Sequence, residues 1–200
     1  MITASIDAVE LRDVVTQDIP GAFLHADLSD DVIMVLWGKL AELMAKVEPK
    51  LHRPYIITTS KGESVLYVKM QKAINGLLRS ALLFYLKLCK DLEELGFVIN
   101  DYDPCVANKM VNASQMTMVW HVADLKVSHR EGREITKLLL YLGKIYGTNI
   151  MVMCGKIHDY LGIDFDFSQE GVEAIDDEQH CKDFWRLSRR KRKAMCHTSI

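Results

Sequence analysis

Two aspartates stand where short strands should end. "RDVVTQDI", residues 12–19, is β-branched and runs into Pro20-Gly21, so it reads as a strand that closes at Asp18. "WHVADLKVSH", residues 120–129, alternates apolar and polar side chains on both sides of Ala123-Asp124, the pattern of two strands joined at a tight turn. Two carboxylates brought together repel and need a counter-ion. Magnesium is the usual one, and two ions about 3.5 to 4 Å apart activate a hydroxyl and stabilise a leaving phosphate in in-line phosphoryl transfer. What the pattern leaves open is why the hairpin tip carries a lone carboxylate beside an alanine.

The elements that must position these acids follow from periodicity. "LWGKLAELMAKV" (36–47) has helical spacing, and "PYIITTSKGESVLYVKM" reads as a hairpin turning at Lys61-Gly62. From Leu77 to Leu95 the set Ala81, Leu82, Tyr85, Leu88, Cys89, Leu92 and Leu95 predicts a helix stopped by Gly96. Leu83, Phe84 and Leu86 widen its stripe, so its N-terminal half is expected to be covered on most sides. "PCVANKMV" and "MTMVWHV" flank "NASQ" as a second hairpin. A helix over 132–146 turns Ile135, Leu138, Leu139, Leu142 and Ile145 inward and ends at Gly147. "YLGIDFDFS" and "GVEAI" close the series as strands around Gln169-Glu170-Gly171. Without its flanks the order is strand, helix, hairpin, helix, strand: a split βαβ, ferredoxin-like α+β sheet with two packed helices. In that order the first strand and the central hairpin become neighbours, which would join Asp18 to Asp124.

Composition agrees with a packed fold. The chain has 200 residues, 49% apolar and 26% charged, enough to bury about 70% of its extended surface. Five scattered cysteines without a CxxC favour reduced thiols, and "MITASIDAVELRD" has no signal-peptide pattern. No apolar run reaches the roughly 18 residues of a membrane span. A cytoplasmic or nuclear protein, not secreted and with no membrane partner, is expected. The net charge of -2 conceals "RLSRRKRK" (186–193), with six basic residues in eight positions. Arg189, Arg190, Lys191, Arg192 and Lys193 are candidate phosphate contacts or a nuclear-import signal, against the plain reading of a solvated tail.

"QDIPGAFLHADL", "KMQKAINGLLRSALLFYLKL", "DYDPCVANK", "WHVADLKVSH" and "HDYLGIDFDF" occur in order and in register, over about residues 10 to 175. Together they resemble the reverse transcriptase of copia-type LTR retrotransposon Pol polyproteins. The resemblance implies a polymerase palm over 1–175, with a divergent basic tail over 176–200. It also implies RNA-directed DNA synthesis with Mg2+, and an RNA template, a DNA primer and deoxynucleotides as partners. Asp18 takes the place of the family's first catalytic and metal-binding aspartate. Phe23 takes the aromatic slot that excludes a 2′-hydroxyl, and Gly76 the nucleotide-side glycine, where Asn75 replaces the family's tyrosine. The catalytic hairpin, aromatic-Val-Asp-Asp in the family, reads His121, Val122, Ala123, Asp124 here. Asp124 persists as a catalytic and metal-binding position, while Ala123 fills the place of a lost metal-binding aspartate.

The resemblance therefore implies a degenerate copy that does not polymerise, and the expectation is that the fingers and the ribonuclease H, integrase and protease regions are missing. Other regions of a retroelement polyprotein are candidate partners. A non-catalytic nucleic-acid-binding or assembly module is the alternative. Taken singly, Asp18 reads as a strand-end cap, Asp124 as a turn residue, Phe23 as core and Gly76 as a helix-entry glycine. His180-Cys181 and Cys196-His197 match no zinc-finger spacing.

Overall fold

The computed structural model describes residues 2–147 and 151–168, and the backbone of 173–176. The chain opens with helix α1 (Ile2–Val9) and strand β1 (Asp13–Asp18), then a 3-10 turn (Ala22–His25) and β2 (Ile33–Trp37). Helices α2 (Lys39–Val47) and α3 (Pro49–His52) lead to β3 (Ile57–Thr58) and β4 (Ser64–Lys69). Helix α4 (Ser80–Glu94) is followed by β5 (Val98–Ile99), β6 (Val106–Val111), β7 (Ser114–His121) and β8 (Asp124–His129). Last come α5 (Gly132–Tyr146), β9 (Met151–Cys154), β10 (Ile157–Tyr160), β11 (Ile163–Asp166) and β12 (Glu173–Asp176).

The chain divides into two compact units, residues 1–22 with 84–200, and Phe23–Leu83. In the first, a six-stranded antiparallel sheet runs β5-β6-β7-β8-β1-β9, and a three-stranded sheet runs β10-β11-β12. Strand alternation separates the two faces of the large sheet. Met118, Trp120, Leu125 and Val127 are buried on one face, with Phe84, Leu88 and Leu92 of α4 and Ile135, Leu138 and Leu142 of α5 also in the core. Each such side chain contributes about 1.5 to 3 kcal/mol by leaving water. Helix α5 packs against β8 and β1. The Tyr146 hydroxyl donates to the Asp91 carboxylate of α4, and the Tyr146 ring meets Phe84 edge-on at 6.0 Å.

The other face buries polar and charged groups beside Val14 and Val106. Lys126 of β8 is ion-paired with Asp7 of α1, and the Arg12 guanidinium donates to Thr117 Oγ1 at 2.9 Å. Thr16 and Ser128 are buried on the same face. The second unit holds a sheet in the order β2-β4-β3 with α2 and α3.

Several expectations shift by small, explicable amounts. Leu36 and Trp37 finish β2, and the helix starts only after Gly38, whose φ of 54° interrupts the run. The hairpin of 120–129 turns at Val122-Ala123, one residue earlier than the pattern indicated, because His121 and Asp124 are themselves paired. Helix α4 buries Ser80, Phe84, Leu88, Asp91 and Leu92, leaving Leu82 and Leu86 exposed. The expectation that its N-terminal half is covered on most sides is therefore wrong: one face of period 3.6 is packed, and the flanking leucines are surplus to it. Gly96 and Gly147 end their helices as expected, with φ of 83° and 91°. Helix α1 and strands β2, β5, β9 and β10 went unread, being short or lacking turn signals. The Gln169-Glu170-Gly171 turn and the 186–193 basic run lie outside the described residues.

Candidate functional site

β1 and β8 pair so that Asp18 lies directly opposite Asp124. The Ile19 amide donates to the Ala123 carbonyl at 3.1 Å, which makes the Asp18–Asp124 step one of the closer, non-hydrogen-bonded pairs, with Cα atoms about 4.5 Å apart. Residues about a hundred positions apart thus share one face at one rim of the sheet. His121 pairs with Asp124 on the other side, and Met151 with Asp18, so His121, Asp124, Asp18 and Met151 form a row across four strands.

The turn holding Asp124 is strained. Its first central residue, Val122, has φ of 54°, a left-handed angle that a β-branched side chain rarely tolerates and that costs on the order of 1 to 3 kcal/mol. Glycine would meet that angle without strain. Burial and then the neighbouring Asp18 charge push the Asp124 carboxyl above its usual value; His121 opposes this, and Asp159 adds to it. Asp159 and Tyr160 reach this neighbourhood on β10, which packs against β1 and β9. β10 is anchored by the buried His158, whose Nε2 lies 2.9 Å from the Gly155 carbonyl. Burial, and then the Asp124 charge, raise the Tyr160 phenol above its ordinary range. Sequence reasoning assigned Asp159 and Tyr160 no role. The signal available was the acid-aromatic pair within "HDYLGIDFDF".

His129 is fully buried, with Nδ1 accepting from the Glu131 amide at 3.0 Å and Nε2 lying 3.2 Å from the Val111 carbonyl. Both ring nitrogens are engaged by backbone, so His129 is a structural residue. Among the described residues no group of three or more His, Cys, Asp or Glu side chains could hold a metal ion. Asp18 and Asp124 stand as a pair of carboxylates beside Ala123, which supplies none.

Phe23 and Gly76 belong to the second unit. Phe23 is half-buried in the 3-10 turn, where its carbonyl accepts from the Ala26 amide at 3.0 Å. Gly76 has φ of 94°, and a Cβ there would meet nothing within 4 Å. What glycine supplies within this chain is the backbone angle. Arg189, Arg190, Lys191, Arg192 and Lys193 lie outside the described residues, as do both His-Cys pairs of the tail. Among the described residues no helix is long and apolar enough to cross a membrane.

No protein-family model matches the chain, and no curated protein does. Among solved structures it is similar to apo telomerase from Candida tropicalis, at 11% identity and a TM-score of 0.46, over 86% of this chain and 35% of that one. Telomerase from the same organism in complex with a TWJ fragment of telomeric RNA is similar at 10% identity and a TM-score of 0.47, over 89% and 32%. Telomerase from Candida albicans with the same kind of fragment gives 10% and 0.44, over 82% and 32%. The chain spans about a third of the length of these proteins.

Proposed function

We propose that the chain is the palm of a copia-type reverse transcriptase, an RNA-directed DNA polymerase, in a copy that no longer polymerises. The observation that carries this reading is the register that sets Asp18 opposite Asp124, with Ala123 beside them at the hairpin tip. The neighbour order β7-β8-β1-β9, with α4 ahead of β7 and α5 between β8 and β9, supports a ferredoxin-like palm.

The residues present do not fit a pair of magnesium ions. Two ions bridged by carboxylates need more ligands than Asp18 and Asp124 provide, and no third candidate joins them among the described residues. What the chain's own residues do is keep a strained hairpin in register with β1 and hold two acids on one face of a rigid sheet. The missing group favours the second reading, a module that binds RNA or DNA without extending it.

Primer extension on an RNA template tests the proposal, with the unaltered chain compared with Ala123→Asp and Asp18→Ala, and Mg2+ affinity measured by calorimetry. The expected outcome is no synthesis by the unaltered chain and at least about tenfold tighter Mg2+ binding by Ala123→Asp. Magnesium-dependent synthesis by the unaltered chain overturns the reading of Ala123. Unchanged affinity in Ala123→Asp removes the metal site from the proposal.

A further inference from the structure

β2 is an edge strand. Its sheet runs β2-β4-β3, and no described strand lies beyond it. The Met70 amide donates to the Val32 carbonyl at 2.9 Å and the Gly38 amide to the Ser64 carbonyl at 2.7 Å, with β2 and β4 in continuous register between them. By alternation Met34 and Leu36 also face β4, and Ile33, Val35 and Trp37 direct their amides and carbonyls outward. None of these three has a backbone partner across that edge among the described residues. Their side chains are exposed as well, Ile33 at 61% and Trp37 at 54%.

Natural edge strands are protected by lysine, proline, bulges or inward charges. "IMVLW" has no charge and no proline. The pattern is also self-complementary. If two copies align antiparallel about Val35, Val35 faces Val35 and Ile33 faces Trp37 of the other copy. Every outward donor then meets an outward acceptor.

We propose that β2 is a self-association edge: two copies of this chain pair their β2 strands about a twofold axis at Val35, joining two three-stranded sheets into one of six. The occupant is a second copy because the outward hydrogen-bond register and the exposed apolar row Ile33, Val35 and Trp37 both match themselves under that single operation. An isologous contact of this kind closes at two chains.

Sedimentation velocity of the full chain over a wide concentration range, with Val35→Pro, Val35→Lys and Ile57→Thr, tests this. Val35→Pro removes an outward amide and leaves the β2–β4 bonds made by Met34 and Leu36 intact. Val35→Lys sets like charges face to face, and Ile57→Thr alters the far edge at β3. A monomer–dimer equilibrium is expected, weakened more than about tenfold by either Val35 substitution and unchanged by Ile57→Thr. Hydrogen exchange adds a local readout: the Val35 amide gains protection as concentration rises. Should Val35→Pro fail to fold, Val35→Lys and the exchange data decide. A monomer at all concentrations, assemblies larger than two, or a dimer indifferent to both Val35 variants overturns the proposal.

Discussion

The sheet that carries Asp18 and Asp124 and the sheet of the second unit differ in what closes them. The six-stranded sheet buries large side chains on one face and an ionic network on the other: Lys126 with Asp7, and Arg12 with Thr117, Asp7 and Glu10. The second unit buries mainly alanines with Val65 and Leu66, while Leu40, Leu43, Leu51, Tyr55 and Tyr67 are exposed. Its ion pairs, such as Lys69 with Asp31 at 2.5 Å, are exposed too. The same residue types thus do different work. A charge pair taken out of water must be kept whole, whereas one left in water contributes little.

The sharpest way to break that comparison is to remove one cation from each sheet. Lys126→Ala leaves the buried Asp7 with only the Arg12 guanidinium, 3.9 Å away, and is expected to cost up to about 3 to 5 kcal/mol, against about 0 to 1 for Lys69→Ala, both read by urea denaturation. Equal losses would end the distinction. Next come leucines. Leu142, fully buried, is expected to cost about 2 to 5 kcal/mol as Leu142→Ala. Leu43, 55% exposed, should change stability within about 0.5 kcal/mol as Leu43→Ala.

The smallest effect is the most informative about the site. Asp124 has a carboxyl pKa raised by burial and by Asp18, so the folded chain holds that proton more tightly than the unfolded chain does. Its contribution is full below the unfolded value of about 3.9 and is lost as pH rises through the raised folded value. Asp124→Asn should therefore be the more stable protein at neutral pH, with the advantage vanishing near pH 3, as urea midpoints at the two pH values would report. An advantage that grows on acidification would show that Asp124 is stabilised as an anion and is not part of a strained acid pair.

Much of this was legible in sequence because it is periodic. The spacing of Leu138 and Leu142 reads as α5, and Gly96 and Gly147 mark helix ends through their φ angles. Asp18 as a strand-end acid and Asp124 at a hairpin turn were read from short runs with turn residues beside them. What failed lay in short elements or in surplus period: β9 and β10 are too short to signal, the hairpin turn falls one residue earlier because His121 pairs with Asp124, and Leu82 and Leu86 widen the apolar stripe of α4 without being covered.

By itself the order of residues determined most of the longer helices and strands, and that the chain is large enough to bury a core. Only the tertiary structure decided that Asp18 faces Asp124, that Lys126 and Asp7 find each other, that His129 is occupied by backbone, and that no described strand pairs with the outer edge of β2. The reason is physical. Secondary structure follows from contacts within a few residues, but register, burial and pKa depend on partners about a hundred residues away, whose approach is settled only when the sheet closes.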